Sequence, residues 1–331
     1  MKTKIILFAL LALSLQSCFE DEQPVQPFIR TGITVFSMDT SSIYEKQIFF
    51  DLRSNMIVME NDAYSWDIAF DCRPGQYSII INPAKMMTAT NLGQIAITDE
   101  YISGDTLSCI DKEDGNLDST AIGKWWASIE GSNVKSKGDI YLLNMGINQR
   151  GKKMGYKRLV INGYNNDKYS FTFADKDGNN PVQAEIAKTG GVHFIYFSFQ
   201  DTSAKMLEPP KDSWDLLLTR YTHYYGLEGY ELYGVNGVLL NRENVKALQL
   251  HTDKEFNDIK IEDVTGELST RMDTIGFDWK YFDLDKSQYV VKTKKYYIIQ
   301  DYEGFLYKFH FLDFYNKNGD QGYPTFEFQK L

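Results

Sequence analysis

Few side chains in this 331-residue chain have the type and spacing to do chemistry, and the clearest is a cysteine. Cys18 closes the run Leu15-Gln16-Ser17-Cys18. An aliphatic residue three positions ahead, a small residue one ahead and the thiol itself form a lipobox. The thiol accepts diacylglycerol, and the small Ser17 suits the peptidase that cleaves before Cys18. The basic Met1-Lys2-Thr3-Lys4 and the apolar Ile5–Leu15 precede it, a signal-peptide layout too short to span a bilayer. Residues 1–17 therefore read as a lipoprotein signal peptide and Cys18 as the lipidation site. Each buried CH₂ of the acyl chains adds about 0.8 kcal/mol of anchoring. The alternative is an ordinary secretory signal that happens to contain a cysteine.

The other reactive types are sparse. Cys72 and Cys109 would share an oxidising compartment and can pair there. No CxxC or Cys/His cluster suggests zinc. Gly190-Gly191 is a turn and not a phosphate loop, and no GxSxG elbow is present. Asp283 and Asp285 are a carboxylate pair, but 45 acidic residues make such pairs common, and catalytic separation is a three-dimensional property. With 4 His, histidine-dependent catalysis has few candidates. The expectation is a protein that is not an enzyme.

These residues need a scaffold. Residues 18–27 are polar, acidic and Pro-containing, and read as a lipidated tether. Glu20-Asp21-Glu22 directly after the lipid cysteine resembles the surface-export signal of Bacteroidetes lipoproteins, which places the chain on the outer face of the outer membrane. A plain periplasmic tether is the other reading. A net charge of −10 repels phosphate backbones, so nucleic acid is excluded as a partner class. The 22 Tyr and 21 Phe favour sheet, where flat rings pack on a pleated surface.

Short β-rich runs dominate: Ile33–Phe36, Ile48–Leu52, Tyr77–Ile81, Ile140–Asn144, Tyr169–Phe173, His193–Phe199 and Tyr289–Val291. The clearest hairpin pairs Lys295–Ile299 with Phe305–Phe311 through a turn at Gln300–Gly304. Alternation there puts Phe305, Tyr307, Phe309 and Phe311 on one face, and Lys308 and His310 toward solvent. Asn241–Leu250 and Thr120–Ile129 are the two candidate short helices.

The chain repeats itself. Ile48-Phe49-Phe50-Asp51-Leu52, Ser65-Trp66-Asp67 and Ile79-Ile80-Ile81-Asn82 recur in order as Ile195-Tyr196-Phe197-Ser198-Phe199, Ser213-Trp214-Asp215 and Val238-Leu239-Leu240-Asn241. This predicts an all-β protein of two related antiparallel lobes, residues 28–190 and 191–331, divided near Thr189-Gly190-Gly191. Trp66 and Trp214 are expected to be buried anchors, and Asp67 and Asp215 to bond turn backbone.

The ordered set Tyr196–Phe199, Trp214–Thr222, Tyr297–Ile299, Tyr307–Phe311 and Tyr323–Phe328 resembles the HmuY haemophore family of Bacteroidetes. The resemblance covers residues 192–331 and, more loosely, the first lobe. It implies an all-β fold that holds haem in a cleft, and a surface lipoprotein that passes haem to a TonB-dependent receptor.

Haem b needs axial ligands, and the family's lie between the Trp-Asp strand and the terminal hairpin. Here that interval, about 241–292, holds His251 and Met272. The family's second ligand follows a Trp-x-x-Phe pattern. Trp279-Lys280-Tyr281-Phe282 matches it, but the aligned position falls near Leu284, and leucine cannot ligate. His223, among Tyr221, Tyr224 and Tyr225, is the remaining candidate, in a cluster that forms a porphyrin or sugar platform or packs a sheet edge. His251 reads equally as a surface histidine, and Met272 as a loop methionine. Met86-Met87 can ligate or fill core. The leading expectation is a HmuY-like lipoprotein for haem or a related ligand, with no other metal. The alternative is a glycan- or protein-binding accessory lipoprotein, with Tyr224, Tyr225 and Tyr230 stacking on sugar.

Overall fold

The structure, a computed structural model, describes residues 32–99, 108–226 and 232–331. Cys18, the tether and Tyr230 lie outside the described residues. Residues 32–331 cluster as one compact unit. The described part is antiparallel sheet with short 3-10 turns. The first half carries β1 (Thr34–Ser37), β2 (Lys46–Asp51), β3 (Met56–Asp62), β4 (Ile68–Asp71), β5 (Ile79–Ile81), β6 (Thr88–Asn91), β7 (Trp126–Glu130), β8 (Asn133–Ser136), β9 (Ile140–Asn144), β10 (Tyr156–Asn165), β11 (Lys168–Asp175) and β12 (Val182–Ala187). The second half carries β13 (Phe194–Ser198), β14 (Ser203–Lys205), β15 (Leu216–Tyr224), β16 (Leu232–Leu240), β17 (Lys246–Leu250), β18 (Lys280–Asp283), β19 (Gln288–Val291), β20 (Tyr296–Gln300), β21 (Leu306–Tyr315) and β22 (Gln321–Lys330).

The repeat is real in three dimensions, but its halves are exchanged. One four-stranded sheet runs β14-β13-β4-β5 and its twin runs β16-β15-β2-β3. So the first strand of each repeat pairs with the Trp-Asp strand of the other: β13 with β4, and β2 with β15. The larger sheets correspond as well. Strands β6-β9-β10-β11-β12, extended by β8 and β7, match β17-β20-β21-β22-β1. Each small sheet packs on one large sheet. One core holds Phe70, Trp125, Tyr169 and Phe171, and the other Phe50, Leu218, Phe309 and Phe326. The division by sequence at Thr189–Gly191 is therefore not the division by sheet. Ile48 and Phe50 of β2, with Phe36 of β1 packed beside them, complete the core formed by residues 216–328.

The Trp-Asp expectation holds at both copies. Trp66 and Trp214 are buried. Asp67 receives the Phe199 amide (2.7 Å), and Asp215 receives the amides of Leu52 (2.8 Å) and Tyr302 (3.0 Å). The paired asparagines act alike. Asn82 donates to Ala63 O and Trp66 O, and Asn241 to Lys211 O and Trp214 O. Each amide thereby satisfies carbonyls that no sheet ladder reaches.

Four local expectations are corrected. Residues 241–250 do not form a helix: the segment ends in β17, where Ala247 faces one core and Leu248 and Leu250 another, a period of two that only a strand serves. Residues 120–129 run into strand β7, with Trp125 buried and its indole N–H donating to Tyr77 O (2.7 Å). Lys308 and His310 are buried, not solvated, because residues 252–268 cover that face of β21. Lys308 Nζ donates to Phe256 O (2.7 Å) and Ile259 O (3.2 Å), and His310 stacks on Phe256 at 4.3 Å. Phe305 is exposed while Tyr307, Phe309 and Phe311 share the buried face.

Candidate functional site

The site candidate sits at the free end of the β15–β16 hairpin. Alternation along β15 puts Leu217, Thr219, Tyr221 and His223 on one face, and Thr222 and Tyr224 on the other. In register, His223 lies opposite Tyr233 and Tyr224 opposite Leu232. The hairpin end therefore presents two different surfaces.

The first surface is aromatic. His223 lies 4.6 Å from the Tyr225 ring and 4.8 Å from Phe277, and Tyr225 lies 6.0 Å from Tyr233. Tyr225 and Tyr233 remain 47% and 56% exposed, which is unusual for side chains of this size in one group. Partial burial raises the Tyr225 phenol above its usual range, so it is protonated at neutral pH. Glu113 Oε1 holds His223 Nδ1 at 2.7 Å. A carboxylate there makes Nδ1 a donor, and Nε2 meets no hydrogen-bond partner among the described residues. That is the arrangement a metal-binding imidazole adopts.

The second surface is a cleft of about 840 Å³, lined by Tyr224, Leu232, Cys109, Lys112, Glu113 and Arg271 among others. Its volume suits a ligand of tetrapyrrole or oligosaccharide size. Glu113 belongs to both surfaces, as it lines the cleft and orients His223. Nearby, burial pushes the Asp111 carboxyl up to about 6, although it accepts the Ala121 and Ile81 amides.

The other expected ligands do not join this group. Met272 is buried at a 3-10 turn, Met272–Thr274, packed on Tyr221, Val235 and Leu239. Gly115 presses against it so closely that a Cβ there would meet the sulfur at 2.5 Å. The cavities it lines measure about 100 and 70 Å³, too small for a porphyrin. His251 is exposed just past β17 beside Thr252, Asp253 and Lys294, and shares no cavity with His223 or Met272. Leu284 stands 83% exposed at the tip of the β18–β19 hairpin. Met87 is core, and Met86 occupies a turn with φ of 58°. Cys72 and Cys109 are both free, the first buried and the second exposed. Asp283 is a turn cap that accepts the Asp285 and Lys286 amides (3.1 Å each).

Of the three candidate ligands, His223 combines a tethered imidazole with flanking rings, and it stands beside the cleft of about 840 Å³ without lining it. The tyrosines around His223 were the signal legible in the sequence. Nothing there marked Glu113, which approaches from 110 positions away.

The HmuY protein family model matches residues 43–328. No curated protein matches the chain. Among solved structures, apo PinO from Porphyromonas gingivitis aligns over 91% of this chain and 98% of its own, at 9% identity and TM-score 0.37. A Bacteroides vulgatus protein described as HmuY-like and heme-binding aligns over 40% and 82%, at 14% identity and TM-score 0.26. A lipoprotein from Bacteroides fragilis aligns over 52% and 88%, at 14% identity and TM-score 0.24.

Proposed function

The chain belongs to the HmuY family, and from that premise we propose that it is a surface lipoprotein binding haem, or a ligand of related planar shape, at the His223 end of the β15–β16 hairpin. The observation that carries this reading is His223 itself, tethered by Glu113 among exposed aromatic rings. Bound haem supplies an iron that takes imidazole nitrogen and a flat apolar face on which rings stack. The protein's part is to hold Nε2 in its acceptor form, to offer Tyr225 and Phe277 as walls, and to keep the imidazole from rotating. Acylated Cys18 would anchor the protein in the outer membrane, facing outward, and the ligand would pass to a TonB-dependent receptor.

The test is a hemin titration of purified residues 28–331, followed in the Soret and α/β bands. A saturable shift at one equivalent is expected. His223→Ala should weaken binding at least about tenfold, the size of one lost ligand bond on this scale. Glu113→Gln should weaken it less, because the tether and not the ligand is altered. Met272→Ala and His251→Ala should leave the spectrum unchanged. A spectrum equal to that of free hemin ends the haem reading. Cys18→Ala should move the protein from the membrane to the soluble fraction, and protease shaving of intact cells then reports which face it occupies.

A second reading rests on the same exposed rings. Tyr225 and Tyr233 offer the flat faces that stack on sugars, and an accessory glycan-binding lipoprotein would use them without iron. Retention on a glycan array that Tyr233→Ala abolishes and His223→Ala spares would favour it.

A further inference from the structure

Between the two four-stranded sheets lies a cavity of about 100 Å³, lined by Trp66, His193, Glu208, Trp214, Arg220 and Arg242 among others. Its position is set by the exchanged repeats. Trp66 and Trp214 are equivalent residues of the two copies, and both reach this one chamber.

The hydrogen bonding of the lining is incomplete in one direction. The indole N–H groups of Trp66 and Trp214 are buried with no acceptor. His193 Nε2 makes no hydrogen bond, and Glu243 Oε2 lies 3.7 Å from it. Leaving a buried donor unpaired costs about 1–3 kcal/mol, so orphans in one chamber call for an occupant. The carboxylate present does not serve them. Glu208 is engaged by His193 Nδ1 (2.5 Å) and by the amides of His193 (3.3 Å) and Phe194 (3.1 Å).

Charge decides what kind of occupant fits. Arg242 is buried in the lining and forms no ion pair with a carboxylate among the described residues, while the Arg220 guanidinium turns away to lie over Gly234. Arg242 donates to Gly115 O and lies over the Phe194 ring at 5.3 Å. A largely apolar chamber with room for about three waters, two unpaired indole donors and Arg242 in its wall favours an acceptor carrying negative charge. We propose that this chamber is a binding site for a small monovalent anion, a halide or a short carboxylate. The two tryptophan N–H groups would grip it and Arg242 would supply the charge. The anion would join the two sheets at their seam, independently of whatever binds at His223.

The folded, ¹⁵N-labelled protein tests this. Chloride or formate replaces sulfate at constant ionic strength while the indole N–H resonances are followed. Trp66 and Trp214 are expected to shift together on one saturating isotherm, and Trp125, already bonded to Tyr77 O, to stay still. Arg242→Gln should weaken the isotherm about tenfold, one charge-assisted contact. Because Arg242 also holds the chain at Gly115, crystals of the unaltered protein soaked in bromide give an independent reading, an anomalous peak inside the chamber. Indole shifts that fail to saturate, with no bromide peak, would mean that water fills the chamber, and would overturn the proposal.

Discussion

At the scale of single residues, Asp215 shows how burial changes a side chain's behaviour. Burial raises its carboxyl from the usual range up to about 8, with Asp51 and Asp301 adding repulsion, while the Leu52 and Tyr302 amides pull the other way. The folded state therefore holds the proton more tightly than the unfolded chain, whose aspartates titrate near about 3.9. The stability this group contributes is complete below the unfolded value, declines as pH rises from there, and is gone above about 8. Asp111, raised to about 6, acts in the same direction over a narrower window. The melting temperature should fall between pH 5 and pH 8.5, and Asp215→Asn should flatten that slope. Thermal melts across that range check it; an unchanged slope in the variant would remove Asp215 as the cause.

The surroundings of Met272 and His251 have the same origin. Residue type suits both to ligation, but Met272 is packed under Gly115 and His251 stands exposed past β17. At His223 two features a sequence does not display, an oriented nitrogen and flanking rings, coincide.

At the scale of elements, the asparagine after each Ile/Leu-rich strand is the fastening. Asn82 and Asn241 each donate to two carbonyls of the preceding Trp-Asp turn, and Asn82 also accepts the Ala84 amide (2.8 Å). Asn82→Ala or Asn241→Ala should each cost about 3 kcal/mol, because buried carbonyls lose their only side-chain donor. Urea unfolding measures it, and a cost under about 1 kcal/mol would show that water replaces the amide. The β18–β19 hairpin contrasts with this. Among the described residues it pairs with no other strand, and its Tyr281, Phe282 and Leu284 are exposed. Leu284→Ser should therefore leave the unfolding midpoint within about 0.5 kcal/mol of the parent.

Across the whole molecule, the exchange of strands makes the two repeats interdependent. β2 lies between β3 and β15, and β1 borders β22. Deleting residues 28–62 should therefore unfold the core that contains Phe309 and Phe326, although those residues lie more than 240 positions away. Residues 191–331 alone should be degraded by protease at concentrations that the full chain resists. A protected, cooperatively melting 191–331 fragment would show that the crosswise pairing is dispensable. A single core substitution such as Phe326→Ala is expected to cost about 3–5 kcal/mol, since its ring is fully buried among Phe36, Phe50, Phe309 and Phe311.

By itself the sequence determined the all-β class, the positions of most strands, the internal repeat, the anchoring roles of the Trp-Asp pairs and the family. Each of these is written in local pattern: a period of two, turn residues, and an ordered set of motifs. The tertiary structure alone decided which strands pair, since a repeat states that two segments are alike and not whether each folds on itself or on its twin. It likewise decided that β17 and β7 are strands, and that Lys308 and His310 are covered. There, neighbours distant in the chain supply the apolar or hydrogen-bonding surface that overrides local preference. The same physics sets the surroundings of His223, Met272 and His251: burial and a carboxylate 110 positions away set the chemistry of a side chain, and neither is a property of its neighbours in sequence.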